Sequence, residues 1–374
     1  MRSADSQMVN VVVYSRNLND FTVPTYRGLD DPFGVISLSE KKRRAFLDNP
    51  FAADRFEHAQ VIGALDGIAF GGEIAFPIDY QLDGEVARGW SGSTTFVAEP
   101  YRKTDFGIDL RDLRKKFTGL TFQTGSNSSQ MMVRMLKAYR NTIFFLPRHV
   151  MVRKSRSVVE MRLKGLLGKI VSFCADIALW FYWLMMGLLR RMASPSLQFK
   201  KIDVSDEQGI AEAAQIIALD THRFQELHDV RWLRWMMTES FENEPMELTL
   251  VYKRKMPVAF YMTKKRFHEQ ASARGFKNVW LGSIMEWGAV PGHESVLRWC
   301  ILYAACSMRD MDAIEFASDD ERLQSFVRHL GWRHVGENNF NFKAWKGSPF
   351  ADNADMKIQS NWRLRPAMTD GGLN

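Results

Sequence analysis

Residues 97–110 read Val97-Ala98-Glu99-Pro100-Tyr101-Arg102-Lys103-Thr104-Asp105-Phe106-Gly107-Ile108-Asp109-Leu110. Before them, Val86 to Val97 has the composition of a strand; after them, Phe106, Leu110, Leu113 and Phe117 recur at helical spacing up to Gly119. A strand therefore runs into a basic turn and straight into a helix. Such a turn leaves backbone N–H groups at the positive end of a helix dipole, and Arg102 and Lys103 add charge, so a diphosphate fits there.

Working outward, Val61–Leu65, Asp66-Gly67 and Ile68–Pro77 predict an antiparallel hairpin, because an Asp-Gly pair between apolar runs is a strong turn signal. Leu120–Thr124 is a short strand, and residues 125–129 (Gly-Ser-Asn-Ser-Ser) are a loop with several possible N-caps. A helix with Met132, Met135, Leu136 and Tyr139 and a strand at Ile143–Leu146 follow. The same order returns later: a hairpin over Glu247–Tyr252 and Val258–Lys264, a long strand at Val279–Val290, and a helix at Ser295–Met308. Then come a strand at Ala313–Ala317, a helix capped by Asp319-Asp320, and two strands at Trp332–Val335 and Phe340–Trp345. Two copies of one α/β plan are expected, with residues 1–153 and 198–350 as domains, 154–197 as connector and 351–374 as a poorly ordered tail.

The 97–110 stretch resembles the fingerprint of the GNAT superfamily of acyl-CoA-dependent N-acyltransferases, V-x-P-x-(R/Q)-x-x-G-x-(G/A) between a strand and a helix. Val97, Arg102 and Gly107 match, Pro100 is shifted by one, and Asp105 takes the place of the first glycine, where a carboxylate repels a pyrophosphate unless it turns outward as a helix N-cap. Ala138 to Phe144 and Phe326 to Trp332 resemble the family's paired "klGF" turns. The resemblance implies a mixed α/β sheet, two tandem GNAT-like domains and acyl-CoA as donor. Val97, Arg102, Lys103, Thr104, Asp105, Phe106 and Gly107 would bind the cofactor, Asn127 would contact its pantetheine or phosphate region, and Tyr139 would protonate the departing thiolate. The second copy has no basic phosphate loop: Val290-Pro291-Gly292-His293-Glu294-Ser295 stands there, so that copy is expected to be degenerate. Val230 to Trp235 resembles an element of tandem-GNAT proteins from bacterial polysaccharide gene neighbourhoods.

Acyl transfer to an amine asks for a base as well as an acid. Glu73 and Glu286, on strands near the sheet centre, are the candidates, each against the plainer reading of an ion-paired strand carboxylate. Trp232 and Trp235 read as core residues of a helix face. The expected acceptor is an amine on a sugar, a glycan precursor or a small metabolite. Two other readings stay open: an aminoacyl-tRNA-dependent transferase of the peptidoglycan-bridge type, the one case in which nucleic acid would be a partner, and a non-catalytic module docked on a membrane.

Charge concentrates in the connector. Between Met151 and Lys201 there are ten Lys and Arg residues against two acids, which leaves 40 against 41 elsewhere. The same region holds the longest apolar run, Ile170–Leu189, with Trp180 and Trp183 beside Arg190 and Arg191. A helix over 162–191 could lie in a membrane interface, sit buried between the domains, or span a bilayer; the polar stripe favours the first.

The composition narrows the rest. With 46% hydrophobic and 25% charged residues in 374, a disordered or polytopic membrane chain is excluded. Three cysteines without a C-x-x-C pair support neither a disulfide framework nor a thiolate zinc site, and His268-Glu269 and His293-Glu294 lack the second histidine of a metallopeptidase, so no metal is expected. The first ten residues lack a secretory pattern, from which a cytoplasmic location is expected, made peripheral on the inner membrane face if the 162–191 helix is interfacial.

Overall fold

The structure, a computed structural model, describes residues 10–15, 40–53, 59–65, 68–97, 122–127, 133–134, 136–137, 140–159, 163, 165–193, 195–241, 243–268, 278–348, 350–369 and 371–373. The helix expected over 106–117, Arg102 to Gly107 and Tyr139 lie outside the described residues.

In the first half, β1 (Asn10–Ser15), α1 (Glu40–Leu47), β2 (Ala59–Leu65), β3 (Ile68–Leu82), β4 (Glu85–Val97), β5 (Phe122–Asn127) and β6 (Thr142–Val152) follow one another. Helix α2 (Gly165–Ala193) links them to β7 (Leu197–Ile202), α3 (Glu207–Ala218), β8 (Phe224–Glu226) and α4 (Val230–Thr238). Then come β9 (Glu247–Lys253), β10 (Met256–His268), β11 (Val279–Ala289), α5 (Leu297–Ser307), β12 (Ala313–Ala317), α6 (Glu321–His329) and β13 (Arg333–Ala344). Caps are where the side chains allow them. Asp229 accepts from the Arg231 and Trp232 N–H groups at the start of α4, and Asp320 from Arg322 and Leu323 at the start of α6.

Among the described residues, thirteen strands join one mixed sheet in the order β1-β2-β3-β4-β5-β13-β6-β12-β11-β10-β9-β7, with β8 added on β3. The two halves are interlocked at its centre. The last strand of the second half, β13, lies between β5 and β6, and the last strand of the first half, β6, lies between β13 and β12. Each half thus completes its sheet with a strand of the other. The large core cluster is shared in the same way, with Phe46, Phe76 and Tyr80 packing with Trp232, Trp235 and Phe260. Trp232 and Trp235 are buried as the helix-face reading expected.

Three expectations are corrected. Gly125, Ser126 and Asn127 are not loop but the end of β5, held by antiparallel pairing to Asn341, Phe340 and Asn339 of β13. Trp332–Val335 and Phe340–Trp345 are not two strands, since Arg333–Ala344 runs as one. Residues 351–374 are not a loose tail: Trp362, Leu364, Met368 and Leu373 are buried, and the Trp362 ring contacts Phe122, Phe144, Phe224 and Phe342 where the two halves meet. The "NWRLRP" run (361–366) alternates apolar and basic residues at period two, as an extended segment does, and here both faces are buried, the arginines as well as Trp362 and Leu364.

Candidate active site

The first half is split between β4 and β5. Their parallel ladder consists of Trp90↔Gln123, Ser91↔Thr124 and Gly92↔Gly125, and stops there, although β4 continues to Val97 and β5 to Asn127. A cause is visible in the register. Ile74 pairs with Thr94 and Ala75 with Gly92, so Ser93 is an extra residue on β4, one position past the last pair with β5. A bulge increases local twist and bends its strand, which turns β4 away from β5. The resulting wedge opens toward the end of β4, after which residues 98–107, outside the described residues, follow in sequence. An extended ligand can enter such a wedge and hydrogen bond to strand backbone.

The β5 side of the wedge is held firmly. Asn341 Nδ2 donates to the Gly125 carbonyl at 2.8 Å, and a Cβ on Gly125 would sit 3.3 Å from that same nitrogen, so the position has little room for a side chain. The Tyr80 hydroxyl and Thr124 Oγ1 are 2.5 Å apart, and burial pushes the Tyr80 phenol well above its ordinary range. Glu73 is buried on β3 directly opposite Thr95, the second residue past the bulge, and so stands one strand away from the wedge. Val97 is half-buried at the end of β4, and Asn127 ends β5.

The second half repeats this device at the equivalent place. The β11–β12 parallel ladder ends at Ile284↔Phe316, and Met285 is the extra residue on β11. Here the wedge is filled from within. Ala367 N–H donates to the Met285 carbonyl at 3.0 Å, and Arg365 Nε and an Arg363 guanidinium nitrogen reach the Trp287 carbonyl at 3.3 and 3.4 Å. The adjoining turn is also closed, because Glu294 Oε1 accepts from Gly292 N–H at 2.9 Å. That hydrogen bond is the main reason the Glu294 carboxyl lies below its ordinary range. A carboxylate of the chain thus occupies the place an anionic ligand would take.

Glu286 belongs to this filled wedge. It is fully buried; burial opposes its charge, yet Arg363, His228 and Arg365 together hold its carboxyl down at about 2. His228 Nδ1 lies 2.7 Å from its Oε2, Arg363 donates to Oε1, and Arg365 is 3.6 Å away. Arg363 also bonds Asp220 at 3.0 Å, and His228 stacks on Trp232 with ring centres 3.6 Å apart. Burial lowers the His228 imidazole below its usual range. So low a carboxyl, with no solvent access, is a poor proton acceptor, and the arrangement argues for a structural Glu286. Glu73 and Glu286 are not brought together. By register, Glu286 corresponds to Thr94, and the partner of Trp287 that corresponds to Glu73 is Tyr261. Asp220, His228, Arg363 and Arg365 were missed from the sequence, where the period-two run around Trp362 pointed to the two arginines and nothing local pointed to Asp220 or His228. Among the described residues no group of three or more His, Cys, Asp or Glu could hold a metal ion.

No family model matches the sequence, and no curated protein matches it at a significant level. Solved structures do resemble it. N-myristoyltransferase of Saccharomyces cerevisiae with bound myristoyl-CoA aligns over 87% of this chain and 76% of its own, with a TM-score of 0.53 at 11% identity. A GCN5-related N-acetyltransferase from Anabaena variabilis aligns over 89% and 72%, at 0.52 and 10%. The GCN5-related glucosamine N-acetyltransferase region of a fungal multi-domain GH3 β-N-acetylglucosaminidase aligns over 90% of this chain and 38% of that one, at 0.51 and 10%. The chain therefore has the GNAT fold. At these identities the likeness establishes the fold and leaves the chemistry to the site.

Proposed function

We propose that the protein is an acyl-CoA-dependent N-acyltransferase in which the first half, residues 1–153, binds the donor, and the second, 198–350, has lost donor binding and shapes the acceptor side. The observation that carries this reading is the wedge between β4 and β5, set where β4 leads in sequence into the basic stretch with Arg102 and Lys103. The pantetheine arm would lie in the wedge, and the diphosphate on the turn, where backbone amides, Arg102 and Lys103 meet it. The filled second wedge and the Glu294-closed turn support one donor site rather than two.

The acceptor amine would attack the thioester carbonyl carbon directly. The C–S bond breaks, Tyr139 gives its proton to the departing thiolate, and the proton lost by the nitrogen passes to Glu73, directly or through water. Of the two candidate bases Glu73 is retained, because Glu286 is committed to Arg363 and His228. The acceptor is a small amine, of which an amino sugar or glycan precursor is the proposed class.

A thermal-shift series tests this with acetyl-CoA, myristoyl-CoA, free CoA and tRNA. A ligand present at about a hundred times its Kd stabilises the native state by about 2.7 kcal/mol, a readily measured rise in Tm. Stabilisation by at least one CoA species is expected. No response to any CoA together with a response to tRNA would replace the reading with aminoacyl transfer, and silence to all four would leave a non-catalytic module.

A further inference from the structure

Helix α2 touches the rest of the protein along one stripe. Gly168 and Ser172 are buried and Asp176, Trp183 and Arg190 half-buried, at helical intervals of four or seven, with half-buried Tyr182 beside Trp183. Each of the later positions is tied down. Ser155 donates through Oγ to the Ser172 carbonyl at 2.9 Å and through N–H to Asp176 at 2.6 Å. The Tyr182 hydroxyl donates to the Leu330 carbonyl at 2.6 Å, the Arg153 guanidinium lies 4.2 Å from the Trp183 ring centre, and Arg190 lies 4.8 Å from that of Tyr303. The helix is strapped lengthwise to one folded body.

That geometry chooses among the three readings of the connector. Gly165–Met192 is apolar enough to cross a membrane, but mid-helix contacts to Ser155 and Leu330 would then draw the folded body into the hydrocarbon. A connector buried between domains is excluded, because only 6% of its most apolar window is buried. The outward face is apolar along most of the helix length of about 43 Å, with Lys169 and Arg191 as its exposed charges. Leu166, Phe173, Trp180, Phe181, Met185 and Met192 are each more than half exposed. So long an apolar strip is not kept in water without a partner.

A second observation says which partner. At the C-terminal half of α2 a cavity of about 360 Å³ is lined by Arg153, Arg190, Arg191 and Arg309 together with Trp180 and Trp183, and no acidic residue is among its described lining. Four guanidinium groups beside an apolar face complement an anionic headgroup attached to acyl chains. A second copy packed through this same face would bring the cavity more arginines rather than an anion.

We propose that α2 lies in one leaflet of an anionic phospholipid membrane, with its outer face among the acyl chains and a lipid phosphate in the cavity formed by Arg153, Arg190, Arg191 and Arg309. This does not rest on the acyl-transfer reading. The test uses the full chain co-sedimented with phosphatidylcholine vesicles, with and without about 30% phosphatidylglycerol, at low and high salt. Two variants change exposed positions, Trp180→Glu with Phe181→Glu for insertion and Arg191→Glu with Arg309→Glu for the headgroup, and circular dichroism checks that both stay folded.

The expected result is binding roughly tenfold stronger to anionic vesicles, and a loss of about that size in each variant. An environment-sensitive dye on Cys174, exposed on α2 while Cys300 and Cys306 are buried, should shift to the blue on anionic vesicles. Absence of binding to both vesicle types would overturn the proposal. So would equal binding to both with the arginine variant unaffected. A stable dimer in sedimentation velocity that shields the Cys174 dye, with no response to vesicles, would assign the face to a second copy instead.

Discussion

Arg363, eleven residues from the C-terminus, donates a hydrogen bond to Glu286 on β11, and both side chains are fully buried. The contact joins the C-terminal segment to the splayed strand of the second half, and through Asp220 and His228 it holds the loops on either side of β8. A wedge that could admit a ligand is thereby closed by the protein's own chain.

Breaking this pair on one side leaves a charge in a dry site. Arg363→Met should destabilise the protein by about 3–5 kcal/mol, whereas Arg363→Met combined with Glu286→Gln should recover much of the loss. Urea denaturation of the three proteins checks both statements.

The pair also has a pH signature. Because the folded Glu286 carboxyl is held at about 2 against an ordinary value of 4.5, its contribution to stability is complete above about pH 4.5 and is lost as the pH falls toward 2. The amount at stake is about 3 kcal/mol. Asp220, also lowered, acts in the same direction, while Asp319, raised by burial, acts in the opposite one. Glu286→Gln should therefore flatten the acid limb of a stability–pH curve without removing it.

Trp362 is a larger apolar anchor in the same segment, packed on four phenylalanine rings. Trp362→Ala should cost about 3–5 kcal/mol, and deletion of residues 351–374 should cost more. A truncated chain as stable in urea as the whole one would contradict the packing described.

Strand exchange at the centre predicts that neither half folds alone. Residues 1–153 lack β13 and residues 198–374 lack β6, so each exposes an unpaired strand edge when expressed separately. Coexpressed, they should copurify as a soluble pair, which affinity pull-down of one tagged half reads directly.

Donor binding has its own test. Arg102→Glu with Lys103→Glu should weaken CoA binding by about tenfold or more in titration calorimetry, as expected for the loss of two charged contacts to a diphosphate. Unchanged affinity would remove the diphosphate site from this turn.

The sequence by itself determined what is local. Hydrophobic alternation and turn residues placed most of the strands to within a few positions, Asp320 announced a helix cap, and the charge and apolar run of 162–191 marked an unusual helix, because each of these signals comes from residues near one another in the chain. The tertiary structure alone decided the rest. Nothing near Arg333–Ala344 says that it will pair with both β5 and β6, because strand edges present the same backbone groups whatever their sequence. Nor could the ion-paired reading of Glu286 be chosen over the catalytic one before Arg363, 77 residues away, was seen beside it. Its basicity depends on burial and on the charges brought near it, and folding sets both.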